Sequence, residues 1–154
     1  MLGADGAPTL PVGYDGPDWV QIGTWAIAPT EGKNVKEQHL VFAERAAVRA
    51  YRETGKWPDG STLVKELRGA SPTVMSTGFS APTGELNGWF VMVKGRAAPT
   101  KVTSHWGDGW YGAQYDAKDR KRNLSPGWAS CRGCHTPVQS TDWVFAAGYP
   151  VLKR

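Results

Sequence analysis

The run Cys131-Arg132-Gly133-Cys134-His135 constrains this 154-residue chain more than any other feature. Cysteines three positions apart on a helical turn project from one side, and a histidine follows directly. Two thiols at that spacing match the two vinyl groups of one porphyrin, with His135 beneath the iron as its nitrogen ligand. A haem held this way buries large apolar faces, so the rest of the chain must supply walls for it. A thioredoxin-like pair would sit in a strand–helix–strand unit, a pattern missing here. A structural zinc site needs four ligands, and the two cysteines and three histidines include no second pair at suitable spacing. The expectation is one covalently bound haem c, attached through Cys131 and Cys134 with His135 on the iron.

Length suits one domain with a real core and no need of disulfides. Hydrophobic residues make up 40% and charged residues 21%, the balance of a soluble globular chain. Eight tryptophans point to a core built from a few large side chains. A net charge of +4 is too small to indicate a nucleic-acid binder. The densest basic run, Lys118-Asp119-Arg120-Lys121-Arg122, reads as a solvated loop, with a docking patch for an acidic redox partner as the alternative. No apolar stretch reaches membrane-spanning length. The chain opens without a charged and then apolar leader, so an export signal removed on maturation is expected if the cysteines carry haem.

Residues Met1 to Gly16 read as an irregular arm, and 17–154 as a single haem c domain. Strand patterns cover Trp19 to Ile27, Val35 to Ala43, Ser61 to Leu67, Trp89 to Lys94 and Trp110 to Tyr115. Glu44 to Thr54 carries Ala46, Ala47, Ala50 and Tyr51 at helical spacing, with Gly55 as its stop. Trp57-Pro58-Asp59-Gly60 is a turn, and Gly69 to Gly84 a loop of small residues. Ser125 and Pro126 resemble an N-cap and first-turn proline for the short helix bearing the cysteines. The fold class is α+β, a mostly antiparallel β-sheet with a few helices.

Alternation within Ser61 to Leu67 puts Leu63, Lys65 and Leu67 on one face. A lysine between two leucines either snorkels along a sheet edge or is a desolvated amine of lowered pKa and raised nucleophilicity. Met75, Met92, His39 and His105 are the available sixth ligands to the iron; a strong one favours electron transfer, an open position small-molecule chemistry.

The chain also resembles cytochrome P-460, haem enzymes that oxidise hydroxylamine, and their relatives the cytochromes c′-beta. The resemblance runs from about Trp19 to the C-terminus. It rests on Trp57-Pro58-Asp59-Gly60 with Leu63-Val64-Lys65-Glu66-Leu67, on Phe90-Val91-Met92-Val93-Lys94, and on the tail. There Thr136-Pro137-Val138, Thr141-Asp142-Trp143-Val144-Phe145 and Tyr149-Pro150-Val151-Leu152 follow the haem motif. The resemblance implies a periplasmic homodimer with a five-coordinate haem, its lysine joined through nitrogen to a porphyrin meso carbon; Lys65 falls at the matching place. It implies oxidation of hydroxylamine through an iron-nitrosyl species to nitrous oxide or nitrite, electrons passing to another c-type cytochrome. The alternatives are a nitric-oxide-binding protein without turnover and a plain electron-transfer cytochrome c. By the same resemblance Phe42 and Phe90 wall the distal pocket and His39 is its polar member, although a regular strand sets His39 and Phe42 on opposite faces. The family's distal carboxylate has no clear counterpart among Asp108, Asp116 and Asp119.

His135→Ala is expected to prevent stable haem assembly. A five-coordinate, wild-type-like haem protein from that variant would overturn the ligand assignment.

Overall fold

β-Branched and aromatic runs, punctuated by glycine and proline, form an antiparallel sheet in the computed structural model, which describes residues 2–4, 6–95 and 104–153. In chain order the elements are β1 (Trp19–Ile27), β2 (Glu37–Glu44), α1 (Arg45–Thr54), β3 (Thr62–Ala70), β4 (Thr73–Met75), β5 (Gly78–Ser80), β6 (Thr83–Lys94), β7 (Trp106–Gly107), β8 (Trp110–Asp116) and α2 (Trp128–His135). Three short 3-10 turns follow, at Thr136–Thr141, Ala146–Gly148 and Pro150–Leu152. Six strands make one sheet in the order β1-β2-β3-β6-β8-β7, with every neighbouring pair antiparallel. The α+β expectation holds.

The register fixes two faces. On the front, Val41, Lys65, Phe90 and Gln114 lie in one cross-strand row, with Ala43, Leu63, Met92 and Gly112 in the next. On the back, Phe42, Val64, Val91 and Ala113 form a row between them. Val64 and Val91 are almost wholly buried, each stabilising the fold by about 2 kcal/mol. The N-terminal segment covers the back face: Ala7 and Tyr14 are buried in the same cluster as Val64, Trp89 and Tyr115. The front face is covered by α1, α2 and the C-terminal turns, through Val48, Tyr51, Trp128, Trp143, Val144, Tyr149 and Leu152.

Helix α1 ends as expected, with Gly55 left-handed at φ 75° and its N–H bonded to the Tyr51 carbonyl at 2.7 Å. Two local expectations are corrected. Gly69 to Gly84 is not a loop: it holds the ends of β3 and β6 and the separate β4–β5 hairpin. Its small residues serve close approach, since a Cβ on Gly84 would stand 3.1 Å from the Gly69 carbonyl oxygen. Helix α2 begins at Trp128, with Gly127 rather than Ser125 as N-cap. The Trp128 N–H donates to the Ser104 carbonyl at 2.6 Å, which draws the chain in so tightly that only a glycine passes. Gly127 sits at φ 140°, and a Cβ there would lie 2.3 Å from the Ser104 carbonyl oxygen.

Gly127→Ala is therefore expected to lower stability by about 2–3 kcal/mol, read from urea unfolding. An unchanged midpoint would refute the claim that this contact seats α2.

Candidate functional site

Helix α2 lays its cysteines against the front face of the sheet. Cys131 stands over Gly112 of β8, where a Cβ would come within 2.9 Å of the sulfur; the glycine makes room for the thiol. Burial pushes the Cys131 thiol pKa up, while Cys134 is exposed at the rim. Asp108, at φ 53°, holds the helix from β7's end of the sheet, accepting from Trp128 Nε1 at 2.8 Å and from Arg132 Nε at 2.9 Å.

Between α2, the C-terminal turns and the sheet lies a cavity of about 790 Å³, a volume that includes space open to solvent. Its walls are mostly apolar, with Val41, Leu63, Phe90 and Met92 from the strands and Val144, Phe145 and Tyr149 from the tail. Cys131, Cys134, His135 and Lys65 face into it together.

His135 is already oriented as a metal ligand. Its Nδ1 donates to the Trp143 carbonyl at 2.7 Å, so Nε2 carries the free lone pair. The Phe145 ring packs edge-on at 5.3 Å between centroids, with Trp128 at 6.4 Å on the same ring. Burial lowers the His135 pKa, opposed by the Trp143 hydrogen bond and assisted by the charge of Lys65. The result is a neutral imidazole.

Trp143 reaches that position through two consecutive left-handed residues, Asp142 at φ 58° and Trp143 at φ 65°. Such backbone costs about 1–3 kcal/mol per residue. The buried Asp142 holds it: Oδ2 accepts the Trp57 backbone N–H at 2.9 Å, Oδ1 accepts Lys94 Nζ at 2.5 Å, and its carbonyl accepts Trp110 Nε1 at 3.1 Å. Neither Asp142 nor Gly112 stands out along the sequence as a site residue. An acid in an otherwise aromatic tail was the one available signal for the first; no local signal marks the second.

Lys65 lies in the cavity wall with Nζ 4.7 Å from the Phe90 ring centroid. Burial lowers its pKa, and the thiols of Cys134 and Cys131 and then Glu37 pull the other way. His39 sits on the same sheet face but outside the cavity wall, hydrogen-bonded through Nε2 to Glu37 at 2.9 Å. Burial lowers its pKa too, against the Glu37 hydrogen bond.

Phe42 does not wall the cavity. Alternation along β2 turns it to the back face, where its ring meets Tyr14 at 5.4 Å. Of the possible sixth ligands, Met92 lines the cavity, while Met75 lies exposed on β4. His105 is buried with Nδ1 bonded to the Gly112 carbonyl at 3.1 Å. None of the three acids considered reaches the cavity wall: Asp108 clamps α2, Asp116 pairs with Arg122 at 3.3 Å, and Asp119 accepts the Lys121 N–H at 2.9 Å. The Lys118–Arg122 run is partly tied down, with the Arg120 guanidinium 4.8 Å over the Trp89 ring.

The donor set fits a haem. Among the described residues no group of three or more His, Cys, Asp and Glu side chains converges to hold a bare metal ion, so an iron here needs equatorial ligands from elsewhere. Two sulfurs, one oriented imidazole and an apolar cavity are what a porphyrin bound through thioethers requires.

A comparison with curated proteins finds no significant match. Comparison with family models gives a match to Cytochrome P460 over residues 11–146. That span takes in β1 through the 3-10 turn at 146, and with it Lys65 and the whole haem motif. The chain thus belongs to the cytochrome P460 family, haem-binding redox proteins.

Proposed function

We propose that this chain carries one haem c, joined by thioethers to Cys131 and Cys134 and bound at iron by His135, and that it oxidises hydroxylamine. The observation that carries the proposal is Lys65, a buried amine in the same cavity as the two cysteines and the histidine. A surface-seeking lysine would snorkel outward; this one is kept against Phe90. Its lowered pKa leaves more of the amine unprotonated, the form able to bond to a porphyrin meso carbon; the new C–N bond replaces that carbon's C–H bond, and the two protons and two electrons released go to a peroxide-class oxidant.

A bound haem would supply the redox chemistry by which a small nitrogen compound is oxidised. The chain's residues do the rest. Val41, Leu63, Phe90 and Met92 wall the cavity and exclude water from the sheet side. His135, held at Nδ1 by the Trp143 carbonyl, would hold the iron through Nε2. Loss of electrons from hydroxylamine must be matched by loss of protons, so an acceptor is needed nearby. We assign that role to His39, which lies on the Lys65 face of the sheet, outside the cavity wall but close enough for the charge of Lys65 to act on it; its Nε2–H donates to Glu37, which leaves Nδ1 as the base. Another c-type cytochrome would collect the electrons. A homodimer in the periplasm is the setting in which thioether-bound haem and such a partner meet.

One observation favours a second reading, capture of nitric oxide without turnover. No carboxylate lines the cavity among the described residues, and its walls are apolar and aromatic. Met92 as sixth ligand would instead make the protein an electron carrier.

Optical spectra separate the three. A cross-linked haem is expected to give a strongly red-shifted Soret band, and hydroxylamine with an artificial oxidant to be consumed. Lys65→Ala is expected to keep both thioethers and return the spectrum to that of ordinary haem c. A variant spectrum identical to wild type would remove the cross-link. An ordinary wild-type spectrum with nitric oxide binding and no hydroxylamine consumption would establish the second reading, and a low-spin spectrum with a methionine charge-transfer band the third.

A further inference from the structure

The imidazole of His135 takes its orientation from the Trp143 carbonyl, and that carbonyl is held in place by a backbone no tryptophan would adopt unaided. Trp143 is left-handed at φ 65° directly after Asp142 at φ 58°, and a bulky residue there is an outlier unless its surroundings enforce it. Local hydrogen bonds contribute one part: Asp142 N–H to the Gln139 carbonyl at 3.2 Å and Trp143 N–H to the Val138 carbonyl at 3.0 Å. The other part comes from far along the chain. Asp142 is buried, and its carboxylate meets the Trp57 N–H at 2.9 Å and Lys94 Nζ at 2.5 Å. Its carbonyl meets Trp110 Nε1 at 3.1 Å, and Lys94 lies 4.8 Å over the Trp110 ring.

These anchors are the turn before β3, the last residue of β6 and the first residue of β8. None belongs to α2. The partner of His135 is therefore registered against the ends of these strands, not against the helix that carries the histidine.

We infer that Asp142 is a positioning residue for the iron ligand: anchored by Lys94 and Trp57, it sets the Trp143 carbonyl on His135 Nδ1. It touches neither haem nor substrate. The inference rests on His135 being the axial ligand, as proposed above. A carbonyl held at 2.7 Å draws the Nδ1 proton and makes Nε2 a stronger donor, which favours ferric over ferrous iron. If the anchor slackens, the carbonyl withdraws and the iron–histidine bond weakens.

The test uses the haem-loaded protein and two variants that change charge with little change of shape, Asp142→Asn and Lys94→Gln. Resonance Raman of the ferrous form gives the iron–histidine stretching frequency, and redox titration the midpoint potential. Both variants are expected to show a lower stretching frequency and a higher potential, with one haem per chain and unchanged thioether mass. Folded, loaded variants with the wild-type frequency and potential would overturn the inference, even if they melted earlier, because a merely structural role lowers stability and leaves the iron untouched. Should Asp142→Asn fail to fold, Lys94→Gln carries the same two outcomes alone. Absence of any iron–histidine band in a wild-type ferrous haem that its optical spectrum shows to be five-coordinate and high-spin would instead sink the ligand assignment and the inference with it.

Discussion

The central strands β3 and β6 have to be covered on both faces, and the two covers differ. The back is closed by the N-terminal segment and a polar knot around buried Glu66, which accepts from the Tyr14 hydroxyl and from Arg68 Nε at 2.5 Å. Burial first, then the Glu66 hydrogen bond, push the Tyr14 pKa up to about 12, so the hydroxyl stays a donor and the buried carboxylate keeps its partner. The front is closed by α1, the eight-residue α2 and short turns. That cover is incomplete, and the cavity is the space it leaves. The proposed haem site is thus the unfilled half of the core, which is why its walls are the same valines, leucines and aromatics that would otherwise pack on each other.

Close backbone approach decides where the front cover lies. Gly112 admits the Cys131 sulfur and Gly127 admits the Ser104 carbonyl. At the other end a Cβ on Gly23 would stand 2.4 Å from the Tyr149 ring and one on Gly148 only 2.0 Å from the Trp25 ring. The tail is pinned to β1 by these ring contacts, with Trp25 at 6.1 Å from Tyr149 and 6.2 Å from Phe145. Phe145 then reaches His135. The same tail that closes the core also presses an aromatic edge on the imidazole.

Charge is placed with equal economy. The Lys94–Asp142 pair is buried at the junction of sheet and tail, where its geometry is supported by the Trp57 N–H and the Trp110 ring. A buried pair is weak evidence of stability but a strong constraint on geometry. Lys65 is the opposite case, a buried amine facing the thiols, with no salt bridge to an acid among the described residues and only the more distant charge of Glu37 acting on it. The fold tolerates it at a cost in desolvation, and that cost falls at the site where the chemistry is expected.

Much of this was legible along the chain. Alternation put Lys65 between two leucines and set His39 and Phe42 on opposite faces, both as the sheet has them, because a period of two admits no exceptions in a regular strand. The cysteine-histidine spacing likewise made a helical turn and a flat partner necessary. What alternation does not carry is which face becomes the cavity; that depended on where α2 and the tail land. So Phe42 went to the back, Ser125 lost the helix cap to Gly127, and the small-residue stretch became strands and a hairpin. Asp142 and Gly112 matter through residues far along the chain, Trp57, Lys94 and Trp110 for the first and Cys131 for the second. The sequence by itself determined the chemistry that the chain carries and the faces of its strands, since those follow from local period and residue type. Only the tertiary structure decided which carbonyl meets the imidazole and which face lines the cavity, because both are settled by contacts between segments that have no local preference for one another.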